Sequence, residues 1–344
     1  MSISILFGGK SYEHEISIVS AISLSKIVSF DHFIFLDSLH QFYLIPQEKM
    51  NSKTFSSGDY KQCKKLLLKQ GDFYTSGFFG EKALGVKKLL SAIHGGDGED
   101  GILSSLLEFY MIPFIAPRTS ACILSFDKHL TKLFARERGV KVLDYQVYER
   151  RLAPKQLTQY PSIIKPLRLG SSIGVGIAKN EENLEYLLDS AFEYDDMILV
   201  EPFIQGVKEY NLAGYKNLEG DFVFSVVEEP KKEELLNFED KYLDFSRTSA
   251  VSQAQITSDL EKKLQEAFVK LYANCFEGAI IRCDFFVIDN EVYLNEINPI
   301  PGSLANYLFL DFASVLADVG IPSPKTIDVN YAYIHKIQRA KGKA

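Results

Sequence analysis

The strongest constraint on the fold is a predicted β-hairpin in the C-terminal part of the chain that carries two acids, an amide and an arginine. Residues 285–288 and 292–294 are β-branched or aromatic and are separated by turn residues, which is the pattern of two antiparallel strands. Because side chains alternate along a strand, two polar pairs each share one face: Arg282 with Asp284, and Glu296 with Asn298.

The length of the turn decides whether these two pairs meet. A three-residue loop at 289–291 sets Asp284 opposite Glu296, whereas a two-residue turn at 289–290 sends the pairs to opposite faces. We expect the three-residue loop. Two carboxylates and an amide oxygen beside a guanidinium then suit a hard divalent cation and the phosphates of a nucleotide. The alternative is a solvated hairpin with ordinary surface charges.

Length and composition indicate a soluble protein of two or three domains. The 344 residues exceed a usual single core, and 46% hydrophobic with 24% charged residues is typical of globular proteins. A net charge of -7 does not favour binding to nucleic acid or to an anionic membrane, so we expect small-molecule partners. The four cysteines lie far apart without CxxC spacing, and the sequence shows neither a basic leader nor a long apolar run. We therefore expect a cytoplasmic protein with reduced thiols.

Alternating strand and helix patterns predict a parallel α/β domain up to about residue 116, with ligand chemistry at the carboxyl ends of its strands. Gly8-Gly9 and His94 both follow predicted strands there. The predicted strands are 3–7, 89–93, 145–148, 162–165, 197–200, 210–214 and 222–227, and the predicted helices are 16–28, 102–110, 125–138, 181–192 and 259–276.

A glycine-rich loop follows Lys165, which ends a predicted strand. In the run Gly170-Ser171-Ser172-Ile173-Gly174-Val175, glycines let backbone N–H groups approach an anion and serines add donors, so the loop is suited to close over phosphates. The alternative is a tight hairpin connection. The chain has no Walker A loop and no GxGxxG fingerprint: the closest Walker match, Gly8-Gly9-Lys10-Ser11, has Ser4 in place of the first glycine.

Four further segments are candidate parts of a binding site. Glu13 lies at a helix start. It either stabilises the helix through its dipole, by about 0.3 to 1 kcal/mol, or binds the ammonium group of a substrate. The glycine-rich, acidic run 94–101 is favoured as a binding loop. The stretch 201–204 is either an interdomain linker or a segment whose backbone groups and apolar side chains bind a planar heterocycle. Residues 228–251 are long and charged enough to form an active-site lid.

Taken together, these residues resemble the D-alanine:D-alanine ligases of the ATP-grasp superfamily over nearly the whole chain. Each motif alone is weak, but six of them occur in the family's order. The matching residues are Gly8, Gly9 and Glu13; His94-Gly95 with Gly98-Glu99-Asp100-Gly101; Asp127-Lys128; Lys165-Pro166 with Gly170 to Val175; Lys241-Tyr242; and Arg282, Asp284, Glu296, Asn298 and Gly302.

The resemblance implies an α/β and α+β fold class: an ATP-grasp fold with an N-terminal Rossmann-like parallel α/β domain. It implies three domains, at 1–116, 117–200 and 201–344, with a mobile lid at 228–251. The implied activity is ATP-dependent ligation of two D-alanines through an acyl phosphate, for peptidoglycan precursor synthesis. ATP and two Mg²⁺ or Mn²⁺ ions are the implied cofactors, and a monovalent cation is compatible with the family. The family also implies a homodimer.

The resemblance assigns roles residue by residue. The nucleotide-binding residues would be Lys128, Lys165, Ser171, Ser172, Glu201, Phe203, Ile204 and Glu209, and the metal ligands Asp284, Glu296 and Asn298. The catalytic residues would be Glu13, Ser171, Tyr242, Arg282 and Gly302, with Ser171 and Tyr242 linked to Glu13 through hydrogen bonds. His94, Lys241, Ser303 and Tyr307 would bind the amino acids. The chain departs from the family's pattern at Leu169, where glutamate is usual, at Pro299-Ile300, and at Tyr307, where a serine usually holds the second substrate.

Other functions remain as alternatives. Within the superfamily, the second substrate would be D-lactate or D-serine, although Tyr242 on the lid argues against D-lactate. A catalytically inactive ATP-binding module is disfavoured because the expected metal ligands and Arg282 are all present. A dehydrogenase is disfavoured by the missing dinucleotide fingerprint.

Overall fold

The computed structural model describes residues 2–78, 80–230, 251–323 and 327–341. The strands are β1 Ser4–Gly8, β2 Phe33–Leu36, β3 Phe42–Ile45, β4 Lys64–Lys69, β5 Asp72–Gly77, β6 Gly80–Ala83, β7 Leu89–Ser91, β8 Phe114–Ile115, β9 Gln146–Glu149, β10 Ser162–Pro166, β11 Gly176–Ala178, β12 Met197–Pro202, β13 Lys208–Lys216, β14 Phe222–Phe224, β15 Ile281–Ile288 and β16 Glu291–Asn298. The helices are α1 His14–Leu24, α2 Ser52–Ser56, α3 Gly96–Glu99, α4 Ile102–Phe109, α5 Thr119–Phe126, α6 Lys128–Glu137, α7 Leu184–Phe192, α8 Ser258–Tyr272, α9 Phe312–Asp318 and α10 Ile334–Lys341.

The N-terminal sheet has eight strands in the order β6-β5-β4-β3-β2-β1-β7-β8. Strand β1 is buried along its whole length, and β2, β1, β7 and β8 run parallel, as expected. The expected all-parallel sheet is nevertheless wrong beyond β2, because β3 to β6 are antiparallel. The reason is the tight turn after β2, in which the Asp37 carboxylate accepts hydrogen bonds from the N–H groups of Leu39 and Gln41.

The second sheet is antiparallel, in the order β11-β10-β12-β9, and helix α7 packs against it. The single helix predicted over 125–138 is wrong, since two helices, α5 and α6, meet at Asp127. The Asp127 carboxylate accepts the N–H groups of His129 and Leu130, which makes it the N-cap of α6. Buried residues of both helices, Ala121 and Ala135, pack into the core of the third sheet. Strand β12 runs through the predicted domain boundary at 200/201.

The third sheet has the order β14-β13-β15-β16, is antiparallel throughout, and packs against helix α8. The turn between β15 and β16 has two residues, because Ile288 pairs directly with Glu291. Asp289 and Asn290 occupy it with φ of 51° and 62°, a conformation that aspartate and asparagine tolerate well. The three-residue loop expected at 289–291 was therefore wrong.

The expected register of the hairpin is nevertheless present, because a β-bulge compensates for the shorter turn. Phe285 pairs with Leu294 and Asp284 with Glu296, so Asn295 is the extra residue on β16. Past this bulge Arg282 also pairs with Asn298. The four polar side chains of the hairpin thus lie on one face, as expected. A two-residue turn with a bulge brings them there, in place of the expected three-residue loop.

The segment after β16 joins the third sheet to the N-terminal domain. Ile300, Leu304 and Leu308 are buried in one core with residues of the first sheet such as Phe7 and Leu90. This packing places the end of the hairpin against the carboxyl ends of β1 and β7. In the described part of the chain, no helix has the length and apolar character needed to cross a membrane.

Candidate active site

Most of the expected site residues that the structure describes lie where the three sheets face one another. Glu13 follows β1, Ser171 lies between β10 and β11, and Arg282 and Asp284 are on β15. Direct hydrogen bonds connect these regions. Lys241 and Tyr242 lie outside the described residues, as does most of the predicted lid.

Arg282 and Asp284 form a bidentate ion pair on the hairpin. Arg282 Nε donates to Asp284 Oδ1 at 2.6 Å and Nη2 donates to Oδ2 at 2.7 Å. Asn298 Nδ2 donates to the same Oδ2 at 3.0 Å, and Arg282 Nη1 donates to the Tyr307 hydroxyl at 3.1 Å. The guanidinium is therefore fixed from two sides, with its plane set by a buried carboxylate.

Two carboxylates of the hairpin are crowded in a way that suits a bound cation. Burial raises the pKa of Asp284, Arg282 opposes this shift, and the neighbouring Glu296 adds to it. A divalent cation between Asp284 and Glu296 would remove that repulsion, and the amide of Asn298 adds an oxygen donor of the kind that Mg²⁺ prefers. Among the described residues there is no group of three or more His, Cys, Asp or Glu that could hold a metal, so the cation would also need oxygens from the substrates.

Two lysines approach the site from the second sheet and from helix α6. Lys128 Nζ donates to the carbonyl of Leu169 at 2.5 Å, at the start of the glycine-rich loop. Lys165 Nζ donates to Glu201 Oε1 at 2.6 Å and to Asn295 Oδ1 at 3.4 Å. Burial lowers the pKa of Lys128, with Glu296 opposing the shift and Lys165 adding to it. Two ammonium groups this close suit a bound polyphosphate.

The glycine-rich loop is held to the N-terminal domain through Glu13. Ser171 Oγ donates a short hydrogen bond to Glu13 Oε1, and both Ser171 and Ser172 have left-handed φ values of 52° and 56°. The Glu13 carboxylate fits between two glycines. A Cβ on Gly95 would lie 2.4 Å from Glu13 Oε2, and a Cβ on Gly170 would lie 3.1 Å from both carboxylate oxygens. A side chain at either position would therefore crowd the Glu13 carboxylate and displace it.

Glu99 is a second acid close to Glu13, and the sequence analysis gave it no role. Its Oε1 accepts the N–H of Gly95 at 3.0 Å. Burial raises the pKa of Glu99 to about 8, and Glu13 adds to the shift. The sequence contained one signal for it, since Glu99 belongs to the Gly-Glu-Asp-Gly run that predicted a binding loop.

His94 connects the end of β7 to the segment after β16. Its Nδ1 lies 2.9 Å from the carbonyl oxygen of Ile300, and its Nε2 lies 3.1 Å from Ser20 Oγ. Burial lowers the pKa of His94 to about 4, so the ring is neutral at pH 7. Because a carbonyl oxygen can only accept, the proton is on Nδ1 and Nε2 accepts from Ser20.

The segment that carries Gly302 forms an unusual left-handed turn. Ser303, Leu304 and Ala305 have φ values of 47°, 53° and 53°, and all three residues are buried. The N–H of Leu304 donates to the Pro301 carbonyl at 2.7 Å, and Asn306 Nδ2 donates to the Ser303 carbonyl at 2.8 Å. This turn brings Tyr307 to Arg282.

The expected adenine-binding residues lie at the end of β12 and in the connector to β13. Glu201 is buried in the strand, whereas Phe203 and Ile204 are half-buried. The N–H of Phe203 donates to the Pro161 carbonyl at 3.0 Å, which fixes the start of the connector. Glu209, on β13, is near enough to Lys165 to help raise the pKa of that lysine.

Comparison with known proteins gives one consistent family. Residues 2–117 match the model of the D-ala D-ala ligase N-terminus, and residues 135–327 match that of the D-ala D-ala ligase C-terminus. Proteins named D-alanine--D-alanine ligase from Wolinella succinogenes and Helicobacter hepaticus are 56% and 57% identical, each over 100% of both chains.

Solved structures agree with this family. The D-alanine-D-alanine ligase of Helicobacter pylori is 49% identical, covers 92% of this chain and 96% of that chain, and superposes with a TM-score of 0.83. The D-alanine--D-alanine ligase of Bacillus anthracis, solved in complex with ATP, shares the fold at 18% identity, covers 92% of this chain and 99% of that chain, and has a TM-score of 0.59. From its two matched domain models and its full-length relatives, the chain belongs to the D-alanine–D-alanine ligase family.

Proposed function

We propose that the chain joins two D-alanine molecules to D-alanyl-D-alanine at the cost of ATP, through an acyl phosphate, for peptidoglycan synthesis. Family membership supports an ATP-dependent ligase of D-alanine. The observation that carries the residue assignment is the convergence of Arg282, Asp284 and Glu296 on one face of the hairpin. Across the site, Lys128 and Lys165 supply the positive charge that a nucleotide needs.

The first half-reaction uses the N-terminal domain and the hairpin. Glu13 would bind the ammonium of the first D-alanine, at the carboxylate that Ser171 also contacts. An oxygen of the substrate carboxylate then attacks the γ-phosphorus of ATP, a new O–P bond forms, and ADP leaves. Asp284, Glu296 and Asn298 would hold two Mg²⁺ or Mn²⁺ ions, which when bound offset the repulsion between carboxylate and phosphate.

The second half-reaction forms the peptide bond. The neutral amine of the second D-alanine attacks the carbonyl carbon of the acyl phosphate, a C–N bond forms, and inorganic phosphate leaves. Arg282 and the N–H of Gly302 would stabilise the negative charge on the carbonyl oxygen, for which one donor is typically worth about 2.7 to 4 kcal/mol. Arg282 is suited to this role because Asp284 and Tyr307 fix its orientation.

The remaining assignments place the nucleotide and the second amino acid. Glu201, Phe203, Ile204 and Glu209 would hold the adenosine part of ATP, and Ser172 would help close the loop over the phosphates. Ser303, Tyr307, Lys241 and Tyr242 would contact the amino acids. His94 would act by holding Ile300 and, through it, the segment of Gly302. We also propose a cytoplasmic homodimer and three domains close to the expected 1–116, 117–200 and 201–344, with the second boundary placed after the end of β12.

The relatives named D-alanine--D-alanine ligase do not favour D-lactate or D-serine as the second substrate. A coupled assay of ADP release with D-alanine, L-alanine and D-lactate tests the proposal. We expect ADP release that requires D-alanine and a divalent cation, with dipeptide as the product. Equal turnover with L-alanine, or undiminished activity in excess chelator, would contradict it.

A further inference from the structure

A buried trio of charges, Lys132, Glu201 and Lys165, lies beside the site. Lys132 Nζ is 2.8 Å from Glu201 Oε2, and Lys165 Nζ is 2.6 Å from Glu201 Oε1. The side chains of Lys132 and Glu201 are only 3% and 1% exposed, whereas that of Lys165 is 13% exposed. Neither the hairpin pattern nor the family resemblance drew attention to Lys132.

The backbone explains why these three side chains meet. Lys128 and Lys132 are four residues apart on α6, so they project from the same face of the helix. In the second sheet, Lys165 pairs with Leu199 and Glu201 pairs with residue 163, which makes Lys165 and Glu201 diagonal neighbours on one face of an antiparallel pair. Helix α6 thus presents one lysine to the glycine-rich loop and another to Glu201.

The position of Lys132 is fixed by more than its ion pair. Its ammonium lies 5.6 Å from the centre of the Tyr145 ring, and the Tyr145 hydroxyl is 2.8 Å from His129 Nδ1. The approach of Lys132 to Glu201 is a direct contact of opposite charges between two buried side chains. Its energy therefore comes mainly from the opposite charges, which interact strongly because water is excluded.

One carboxylate is shared between two ammonium groups, so the trio carries one net positive charge. Burial acts to raise the pKa of Glu201, but Lys165 and Lys132 together lower it to about 2, so the carboxylate is ionised at pH 7. Without Lys132, the same carboxylate would neutralise Lys165 alone. The Glu201 carboxylate would then largely neutralise Lys165, the more exposed of the two lysines, and a bound ligand would meet little net positive charge there.

We propose that Lys132 is a positioning residue for nucleotide binding: by occupying the second oxygen of Glu201, it leaves the positive charge of Lys165 less neutralised by that carboxylate and available to the phosphates. This inference rests on the proposed nucleotide-binding role of Lys165. It makes Lys132 act through Glu201 and not through contact with the nucleotide.

The test is calorimetric binding of MgADP to the purified full-length chain and its variants. Lys132→Met should weaken MgADP binding by about tenfold or more, whereas Lys132→Arg should stay within about threefold, because the coupling is one of charge. Lys165→Met should also weaken binding. The matched control is Lys141→Met, which removes a lysine paired with Glu291 at 3.1 Å on the exposed surface, and we expect no change there beyond about twofold.

A double-mutant cycle separates this role from simple packing. In a Glu201→Gln background no carboxylate remains to be shared, so Lys132→Met should cost less than about twofold further affinity. The same fold loss in both backgrounds would overturn the proposal, as would wild-type affinity in Lys132→Met. If that variant does not fold, Lys132→Gln, which retains a polar group without charge, takes its place and is expected to show the same loss.

The proposed nucleotide site and the proposed role of Lys132 can be contradicted separately. If Lys165→Met binds MgADP as the parent does, the proposed nucleotide site is wrong and the role of Lys132 falls with it. If Lys165→Met weakens binding and Lys132→Met does not, the nucleotide site stands and only the role of Lys132 is wrong. The KM for D-alanine should be nearly unchanged in Lys132→Met, since Lys132 pairs with Glu201 and lies against the Tyr145 ring.

Discussion

The amide oxygen of Asn295 accepts a hydrogen bond from Lys165 Nζ over 3.4 Å, and this contact joins the third sheet to the second. Asn295 is also the extra residue of the bulge in β16. One residue therefore forms the bulge of the hairpin and touches a proposed nucleotide-binding lysine. Both functions can be separated by experiment.

Deletion of Asn295 should remove the bulge but keep the pairing of the site residues. With Leu294 followed directly by Glu296, the two-residue turn would still pair Phe285 with Leu294 and Asp284 with Glu296, so both carboxylates would share one face. We expect a variant that is folded by circular dichroism, retains ADP release and loses mainly the contact with Lys165, a change of about 0.5 to 1.5 kcal/mol. Asn295→Ala is the matched control, because it loses the same contact and keeps the bulge. A fall in ADP release of about a hundredfold or more in the deletion variant alone would show that the bulge itself shapes the site.

Asp284→Asn and Glu296→Gln should each lower turnover by at least about two orders of magnitude, because charge that holds the metal mainly stabilises the transferring phosphoryl group. The measurement is ADP release at saturating Mg²⁺, with folding monitored separately. Asp289→Asn, in the turn of the same hairpin, is the control and should retain parental turnover. Near-parental rates in either of the first two variants would mean that the hairpin carries surface charge alone.

His94 should make the protein less stable in mild acid. Its pKa is about 4 in the folded chain and 6.5 as an unperturbed side chain, so the unfolded chain binds more protons between these values. Stability is therefore lost as the pH falls from about 6.5 toward 4, by up to about 3 kcal/mol for this group. We expect His94→Gln to flatten the pH dependence of the free energy of unfolding in this range. An unchanged slope would show that other groups dominate.

Glu13→Gln should raise the KM for the first D-alanine far more than that for ATP, since the carboxylate is proposed to bind a substrate ammonium. Ser171→Ala should have a smaller effect, about 1.5 to 3 kcal/mol in kcat/KM for D-alanine, because a hydrogen bond to a charged group is lost. Glu15→Gln removes an exposed acid two residues away and serves as the control. Equal effects of Glu13→Gln on both substrates would contradict the assignment.

Much of the fold was predictable from local patterns, and the departures have local causes. Strand β1 and the hairpin strands are apolar runs with clear turns, so they were predicted close to their observed places. The break in the helix at Asp127 was missed because an apolar stripe continues across it, and only the capping geometry ends α5 and begins α6. The antiparallel half of the first sheet was missed because its strands are short and partly exposed.

Local patterns predicted the residue types of the site but few of its connections. Charge and spacing on one hairpin indicated a cation site, since those residues are close in sequence. The hydrogen bond of Ser171 to Glu13 spans 158 positions, so no local pattern encodes it; it was expected from the family resemblance alone, and the structure has it. Lys132 was missed for a similar reason: a lysine on a helix is usually solvated, and its burial arises only from the packing of α6 against Glu201.

The left-handed turn at Ser303, Leu304 and Ala305 has a consequence for attempts to engineer a more robust protein. A non-glycine residue in this conformation costs roughly 1 to 2 kcal/mol, so three in succession are a local source of instability. Glycine at Ala305 would relieve part of that strain and could raise the melting temperature. The same change would loosen the segment that presents Gly302 and Tyr307. Mutations selected only for thermal stability would therefore include changes in this turn, and the same changes are expected to lower turnover.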